Sequence, residues 1–386
     1  MLRYFLQRFL WVFIVLFAIL TITFTFLKIQ PEYPPTKYDD KKAWLVRQWT
    51  DDFMTRTVID KTTVDEIDLK YYFDDLSFLD GLSKIEKLQA IQSKLMEMSK
   101  YYSIYTDEDH TKLERVLWVF EKVPISSQYF VWLKNVITRF DWGTSTRIQI
   151  NENATTVLNR TFKYTIGVNL LVLVIQLPFG LLLGTIAAIK KDKTFDNFVS
   201  IIIMIFISLP SFVVIMLLMK WFGSDLKWLP YQWASGQASL KARVLSYVIP
   251  VSSLALGGVA GLSRRVRAEL AEELTQDYVL LARTKGLTKQ QSIFRHAFRI
   301  ALTPILPGLM FSFVGLLGGA GITETVYGIP GAGRLFIQAS LRGAPDYNVI
   351  LYDTAFFGFI GLFTGILIDM SYGLVDPRIK MGASHV

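Results

Sequence analysis

Five stretches of this chain contain no Asp, Glu, Lys or Arg for long enough to cross a lipid bilayer: residues 9–27, 164–189, 197–219, 244–263 and 300–323. A sixth, residues 347–368, carries only Asp353 near its start. About 20 apolar residues in a helix cover the hydrocarbon thickness. The sequence therefore predicts an all-α integral membrane protein with six transmembrane helices. Hydrophobic residues make up 52% of the chain and aromatic residues 14%, which sets the composition apart from a soluble core of buried helices. Arg3 and Arg8 precede the first run, as in a signal peptide. That run is long and lacks a small-residue cleavage pattern before Pro31, so it is expected to stay as an anchor.

Orientation follows from Lys and Arg, because short loops rich in them stay in the cytosol during insertion. An inside N-terminus places Arg3, Arg8, Lys190, Lys191, Lys193, the eight basic residues between Arg264 and Arg299, Arg378 and Lys380 in the cytosol. The opposite short loops hold fewer, among them Lys227, Lys241, Arg243, Arg334 and Arg342. The net charge of +8 thus describes a cytosolic face rather than a nucleic-acid surface, and both termini are expected inside.

The expected organisation is an N-terminal span at residues 1–30, an extracytoplasmic, mainly helical domain at 31–160, a five-helix core at 161–380 with a cytosolic loop at 264–302, and a tail at 381–386. In the outer segment Pro31, Pro34 and Pro35 stiffen the exit from the membrane. Ser83 with Glu86 forms a capping-box start for a helix whose Ile85, Leu88, Ile91 and Leu95 share a face. Further helices are expected over residues 112–122 and 128–140, the latter with an apolar stripe of Tyr129, Phe130, Trp132, Leu133, Val136 and Ile137. The chain has no cysteine, so this domain must hold together without disulfides. The sequons at Asn153 and Asn159 read as chance matches.

Several chemistries are excluded. Ion-coupled carriers bury ionisable residues at mid-membrane, whereas here only the peripheral Asp353 and Asp369 lie near a span. The spans hold glycines at helix-contact spacing instead: Gly180 with Gly184, Gly257 with Gly261, Gly361 with Gly365, and the group Gly315, Gly318, Gly319 and Gly321. Pro178, Pro210 and Pro307 are candidate kinks. There is no GxxxxGK[ST] cradle; Gly328, Gly331 and Gly333 lack the lysine and hydroxyl that grip phosphate and magnesium and read as a turn. His110, His296 and His385 are too few and too scattered for a metal site. The chain is not expected to be an enzyme, nor to hold a cofactor.

Residues 264–304 are the exception to the apolar pattern. A short helix over 277–285 ends at Gly286, whose freedom at positive φ suits a helix C-terminus. Thr288 with Gln291 caps a second helix running towards Pro304. Small Ala282 beside the turn is expected to let a partner surface approach the backbone. A solvated amphipathic loop is the alternative reading of the same pattern.

The string DYVLLARTKGLTKQQSIFRHAFRIALTPILP resembles the cytosolic loop of permease subunits in ABC importers, specifically the oligopeptide and dipeptide group. FDWGTSTR at 140–147, ITETVYGIPGAGRLFIQA at 322–339 and DMSYGLVDPRIK at 369–380 follow that family in order. The similarity is loose over residues 1–30 and close over about 128–380. It implies a coupling loop seated on a cytosolic ATPase, carried here by Asp277, Tyr278, Ala282, Arg283, Gly286 and His296. The wider importer pattern has a glutamate two positions before Ala282, where this chain has Leu280.

The resemblance also implies a bacterial cell-membrane location and several partners: a second homologous permease, two ATPases that bind ATP and Mg, and a peptide-binding protein outside. A peptide pathway can be lined by uncharged polar groups, for which Asn169, Gln176, Ser208, Ser211, Ser252, Ser253 and Ser312 are the candidates. Nickel chelates, glutathione or oligosaccharides are alternative cargoes. A membrane-anchored sensor or adhesion protein is the alternative from another class, but it would not need the glycine-turn-helix loop. Residues 33 to about 125 exceed the family's usual connection after its first span.

Overall fold

The computed structural model describes residues 2–30, 34–59, 75–97, 101–106, 115–236, 238–317, 320–341 and 345–375, together with Leu69 and Phe73. Its elements, in chain order, begin with α1 (Leu2–Ile29), α2 (Tyr38–Thr50), β1 (Met54–Ile59), α3 (Lys84–Glu97), β2 (Tyr101–Thr106), β3 (Arg115–Lys122) and α4 (Ile125–Arg139). There follow α5 (Ala154–Ile189), α6 (Thr194–Ser208), α7 (Ser211–Leu218), α8 (Leu240–Leu245), α9 (Val248–Glu273) and α10 (Asp277–Thr284). The chain closes with α11 (Lys289–Ser292), α12 (Phe298–Ala301), α13 (Leu306–Leu317), α14 (Gly321–Tyr327), α15 (Ala332–Ala339) and α16 (Tyr347–Val375).

The elements group into two compact units, one of residues 1–20, 155–341 and 349–386 and the other of residues 21–154 and 342–348. The smaller unit thus begins inside α1, ten residues before the boundary expected at 31, and gains the short segment that precedes α16.

Among the described residues, four segments are long and apolar enough to cross a membrane: Leu6–Ile29, Ala154–Ile189, Leu240–Glu273 and Tyr347–Met370. A fifth is the pair Thr194–Ser208 and Ser211–Asp225, bent by 98° at Leu209 and Pro210. Proline lacks the N–H that would bridge the break, so of the three candidate kinks this one divides its helix. Pro178 lies inside the continuous α5, and Pro307 lies in the first turn of α13, where an N–H has no helical partner anyway. The single span expected at 300–323 is built in pieces, α12, a turn over 302–305, α13 and α14. Pro304 and Pro307 remove two donors where the ladder would have to continue.

Within the larger unit α5 and α9 approach closely. A Cβ on Gly180 would fall 2.6 Å from Leu262, and one on Gly184 would fall 2.6 Å from Val266. Ser263 donates to the Gly180 carbonyl at 3.1 Å, so this glycine pair is a helix contact, as its spacing predicts. Val168 and Val172 of α5, Ile215 of α7, Ile249 and Ala255 of α9, and Tyr327 of α14 form one core cluster. Leu262, Val266 and Ile305 form another.

The smaller unit departs from the helical expectation. Its centre is a three-stranded antiparallel sheet of order β1-β3-β2, with Met54 opposite Lys122 and Tyr101 opposite Phe120. Within the stretch 112–122 expected as helix, Arg115–Lys122 supply the central strand, and residues 112–114 lie outside the described residues. Trp44 and Leu45 of α2 cover Met54 and Phe120 on one face. Ile91 and Leu95 of α3 cover Ile59 and Val119 on the other. A strand buried on both faces reads as a continuous apolar run, which periodicity cannot separate from a buried helix. The capping box is present: Ser83 N–H donates to Glu86 at 2.9 Å and Glu86 N–H donates to Ser83 Oγ at 3.5 Å.

Candidate functional site

The loop between α9 and α13 is assembled from local rules. Its first helix, α10, ends in a Schellman turn: Leu287 N–H donates to the Ala282 carbonyl at 3.3 Å and Gly286 N–H donates to that of Arg283 at 3.0 Å. Gly286 has φ of +93°, and a Cβ there would meet nothing within 4 Å. The demand for glycine is therefore conformational rather than spatial. Thr288 and Gln291 close the expected capping box, with Gln291 N–H donating to Thr288 Oγ1 at 3.3 Å and Thr288 N–H to Gln291 Oε1 at 3.0 Å. The helix so started runs on through a π turn at Ile293–Ala297 into α12.

One side of the loop faces its own unit. Val279 and Ala297 are buried against Leu270 and Ala271 of α9 and Ala188 of α5. Ala282 is only 7% exposed, so it offers no open surface beside the turn, contrary to expectation. Its small size lets α10 sit close to this chain. Tyr278 donates to the Glu273 carboxylate, and burial, reinforced by that carboxylate, pushes the phenol well above its ordinary range.

The other side is open. Asp277 in the first turn of α10, Arg283 in its last turn and His296 on the π turn are exposed, with the two α10 charges placed favourably for the helix dipole. Leu280 at 61%, Leu281 at 55% and Phe294 at 55% exposure are open as well. These three residues were not among those expected from sequence. The signal was present in the pattern: with Val279 and Ala282 facing inward, Leu280 and Leu281 cannot both share their side of the helix.

The seven polar pathway candidates are spread over α5, α6, α7, α9 and α13. Asn169, Gln176 and Ser253 are buried, and Gln176 packs over Gly258 of α9. Ser208, Ser253 and Ser312 donate to backbone carbonyls of their own helices. Ser211 meets Thr323 at 3.2 Å, joining α7 to α14, and Ser252 is half-buried in α9.

Two polar knots lie where the sequence showed only turns. Glu324 of α14 accepts from Thr165 Oγ1 at 3.0 Å and from Arg334 N–H at 2.9 Å. Thr165 Oγ1 also accepts from Ala332 N–H at 2.8 Å, so one hydroxyl ties α5 to α14 and α15. The carboxylate fills the space above Gly331, which explains that glycine. In the smaller unit Asp346 Oδ2 accepts from Ser145 Oγ at 2.6 Å and from the N–H groups of Thr146 and Arg147 at 3.1 and 3.2 Å. Gly143 beside them has φ of +82° and a Cβ there would strike Asn348. This is how the FDWGTSTR string earns its glycine. No group of three or more His, Cys, Asp or Glu suited to a metal occurs among the described residues. The last part of the DMSYGLVDPRIK string, with the C-terminus, lies outside the described residues, as do Gly318 and Gly319.

The dipeptide transport system permease protein DppB of Bacillus subtilis (strain 168) is 33% identical over 258 residues, covering 67% of this chain and 80% of the relative. The oligopeptide transport system permease protein OppB of Haemophilus influenzae is 30% identical over 258 residues, covering 67% of this chain and 81% of the relative. Among solved structures, an inward-facing form of the MetNI methionine ABC transporter aligns with a TM-score of 0.45 at 16% identity, over 57% of this chain and 97% of that one. Residues 180–381, which include the loop between α9 and α13, match the family described as the binding-protein-dependent transport system inner membrane component. The chain belongs to that family of inner-membrane transport permeases.

Proposed function

We propose that this chain is the permease subunit of an ATP-driven ABC importer for peptides, forming half of a translocation pathway through the cell membrane. Its relatives are named for dipeptide and oligopeptide transport, which supports the cargo. The observation that carries the coupling role is the open face of the loop between α9 and α13. Leu280, Leu281 and Phe294 stand exposed there together with Arg283 and His296, while Val279 and Ala282 are buried. Exposed apolar side chains accompanied by polar ones, on a short helix packed against its own chain, are suited to seat in a groove of another protein.

In this reading the loop and both termini lie in the cytosol, and six segments cross the membrane, the broken fifth included. Two cytosolic ATPase subunits bind ATP and Mg. A second homologous permease completes the pathway, and an extracytoplasmic protein delivers peptide. The smaller unit, with its sheet and three helices, helps seat that protein at the outer mouth.

Co-purification and transport test the proposal. Leu281→Asp with Phe294→Asp should release the ATPase subunits while leaving the chain in the membrane. Peptide uptake by reconstituted vesicles should then stop. Retention of the ATPases by this variant would reject the docking face, and ATP-driven uptake of nickel chelates, glutathione or oligosaccharides without peptide would reject the cargo. Deletion of residues 38–122 should lower uptake with the complex intact if the smaller unit seats the delivery protein.

A further inference from the structure

Helix α4 carries a second apolar face besides the one it buries. Gln128 and Trp132 turn inward and are buried. Phe130 at 68%, Ile137 at 73% and Phe140 at 62% exposure are open, with Leu133 half-buried among them. Positions 130, 133, 137 and 140 are three or four apart, so these side chains form one stripe along the helix and its cap. Ser127, Lys134 and Thr138 are exposed as well and form a polar stripe beside it.

The depth of α4 follows from what holds it. The Tyr129 hydroxyl meets Thr21 Oγ1 of α1 at 2.7 Å, and the rings of Tyr129 and Trp132 pack on Phe24 with centroids 5.5 and 5.0 Å away. Thr21 and Phe24 belong to the charge-free run 9–27 and to the spanning segment Leu6–Ile29. Lys28 is the first charge after that run and marks where α1 leaves the hydrocarbon. At roughly 1.5 Å per residue, Phe24 lies about 6 Å and Thr21 about 10 Å below Lys28. A helix lying in the membrane interface sinks its apolar face about 5–10 Å into the boundary between headgroups and acyl chains. The contacts that hold α4 sit at that depth, where a water-soluble partner could reach the stripe only by displacing lipid. The charges of α4, Lys134 and Arg139, are both exposed and have stems long enough to reach the headgroups while the stripe stays below them.

We infer that α4 is a membrane-surface helix whose stripe of Phe130, Leu133, Ile137 and Phe140 lies among the acyl chains of the leaflet that α1 leaves at Lys28. The smaller unit is thereby held at a fixed height on the bilayer by two elements, α1 and α4. The inference rests on α1 as a spanning helix.

The chain has no cysteine, so single-cysteine variants of the full-length protein can each carry one environment-sensitive fluorophore. Phe130→Cys and Ile137→Cys report the stripe, Ile22→Cys reports the exposed side of α1, and Ser93→Cys reports an exposed site on α3. The variants are reconstituted with the companion permease and ATPases in phosphatidylcholine vesicles containing a phospholipid with a nitroxide on its upper acyl chain. Positions 130 and 137 should be quenched as strongly as position 22, and position 93 should stay bright. Quenching at position 22 without quenching at 130 and 137 would overturn the inference and leave the span intact. Its absence at position 22 as well would overturn the span, and the inference with it. Equal quenching at position 93 would also overturn it, since the stripe would then be no deeper than the rest of the unit. So would crosslinking of position 137 to the companion permease or to the peptide-delivering protein in place of quenching, because that protein would then cover the stripe.

Discussion

Arg267 of α9 holds Asp196 of α6 through two hydrogen bonds, Nε to Oδ1 at 2.5 Å and Nη2 to Oδ2 at 2.6 Å. Asp196 is fully buried and also accepts from Asp192 N–H at 3.0 Å. The pair therefore locks the end of α9 that leads into the loop to the start of α6. Breaking such a pair leaves a buried charge uncompensated, at about 3–5 kcal/mol. Arg267→Met should lower the melting temperature of the solubilised chain sharply. Arg267→Met with Asp196→Leu should recover most of the loss, as replacement of both partners by apolar groups commonly does. A double variant no better than the single one would show that the cost lies elsewhere.

Gly286 tests the loop between α9 and α13 without touching any contact. A β-branched residue at its positive φ costs about 1–2 kcal/mol in backbone strain, and the open space around it rules out a clash. Gly286→Val should lower peptide uptake per ATP hydrolysed in reconstituted vesicles. Gly286→Asn, better tolerated in left-handed geometry, should lose less. Equal coupling ratios for the unaltered chain and Gly286→Val would remove the turn from the coupling path.

At Thr165 one hydroxyl serves a carboxylate and a backbone N–H. Thr165→Val keeps the shape and leaves Glu324 and the Ala332 N–H each short of a partner, at about 1–3 kcal/mol for a buried group. Thr165→Ser should restore most of the stability. Thermal unfolding of the three forms separates this from a simple packing role, in which valine would be neutral.

What could be read in the sequence was set by short-range rules. The Ser83 and Thr288 capping boxes and the Gly286 turn each depend on residues a few positions apart and appear where the pattern placed them, whereas of the apolar runs those at 197–219 and 300–323 are broken. What could not be read depends on partners far along the chain. Val119 and Phe120 are buried on opposite faces of one strand by helices α3 and α2, so their stretch carries no alternation and passed for a helix. The partner of Glu324 lies 159 positions away at Thr165, and nothing near either residue announces it. Gly361 and Gly180 look alike in sequence, yet only one is filled, because spacing permits a contact without supplying the neighbour. Ala282, expected beside an open surface, is buried instead, since the face of a short helix is fixed by what packs beneath it.

The sheet of the smaller unit carries a further test. The Arg56 guanidinium lies 3.6 Å from the ring centre of Trp49 and 4.1 Å from that of Trp118, bridging α2 to the strands. Each such contact contributes about 0.5–1 kcal/mol at a partly exposed site. Arg56→Ala should destabilise the unit by about 1–2 kcal/mol on that basis. Arg56→Lys should recover only part, because the planar guanidinium stacks on both rings and a point charge cannot. Chemical unfolding followed by tryptophan fluorescence would report it, and a neutral Arg56→Ala would mean the stacking adds nothing to stability.

Glu86 provides a pH-dependent check on the helix start. Its carboxylate accepts from the Ser83 backbone N–H and is also bonded by the Ser83 hydroxyl, which together hold it below the ordinary glutamate range. In the unfolded chain that help is gone, so unfolding raises the affinity for a proton. Stability from this cap is therefore fully present above the unfolded value and is lost as pH falls through the folded one. Between about pH 6 and pH 3 the urea midpoint of the unaltered chain should fall more steeply than that of Glu86→Gln, which cannot titrate. Ser83→Ala should flatten the same curve by removing the hydroxyl, while a Glu86→Gln curve that runs parallel to the unaltered one would assign the acid sensitivity to other carboxylates.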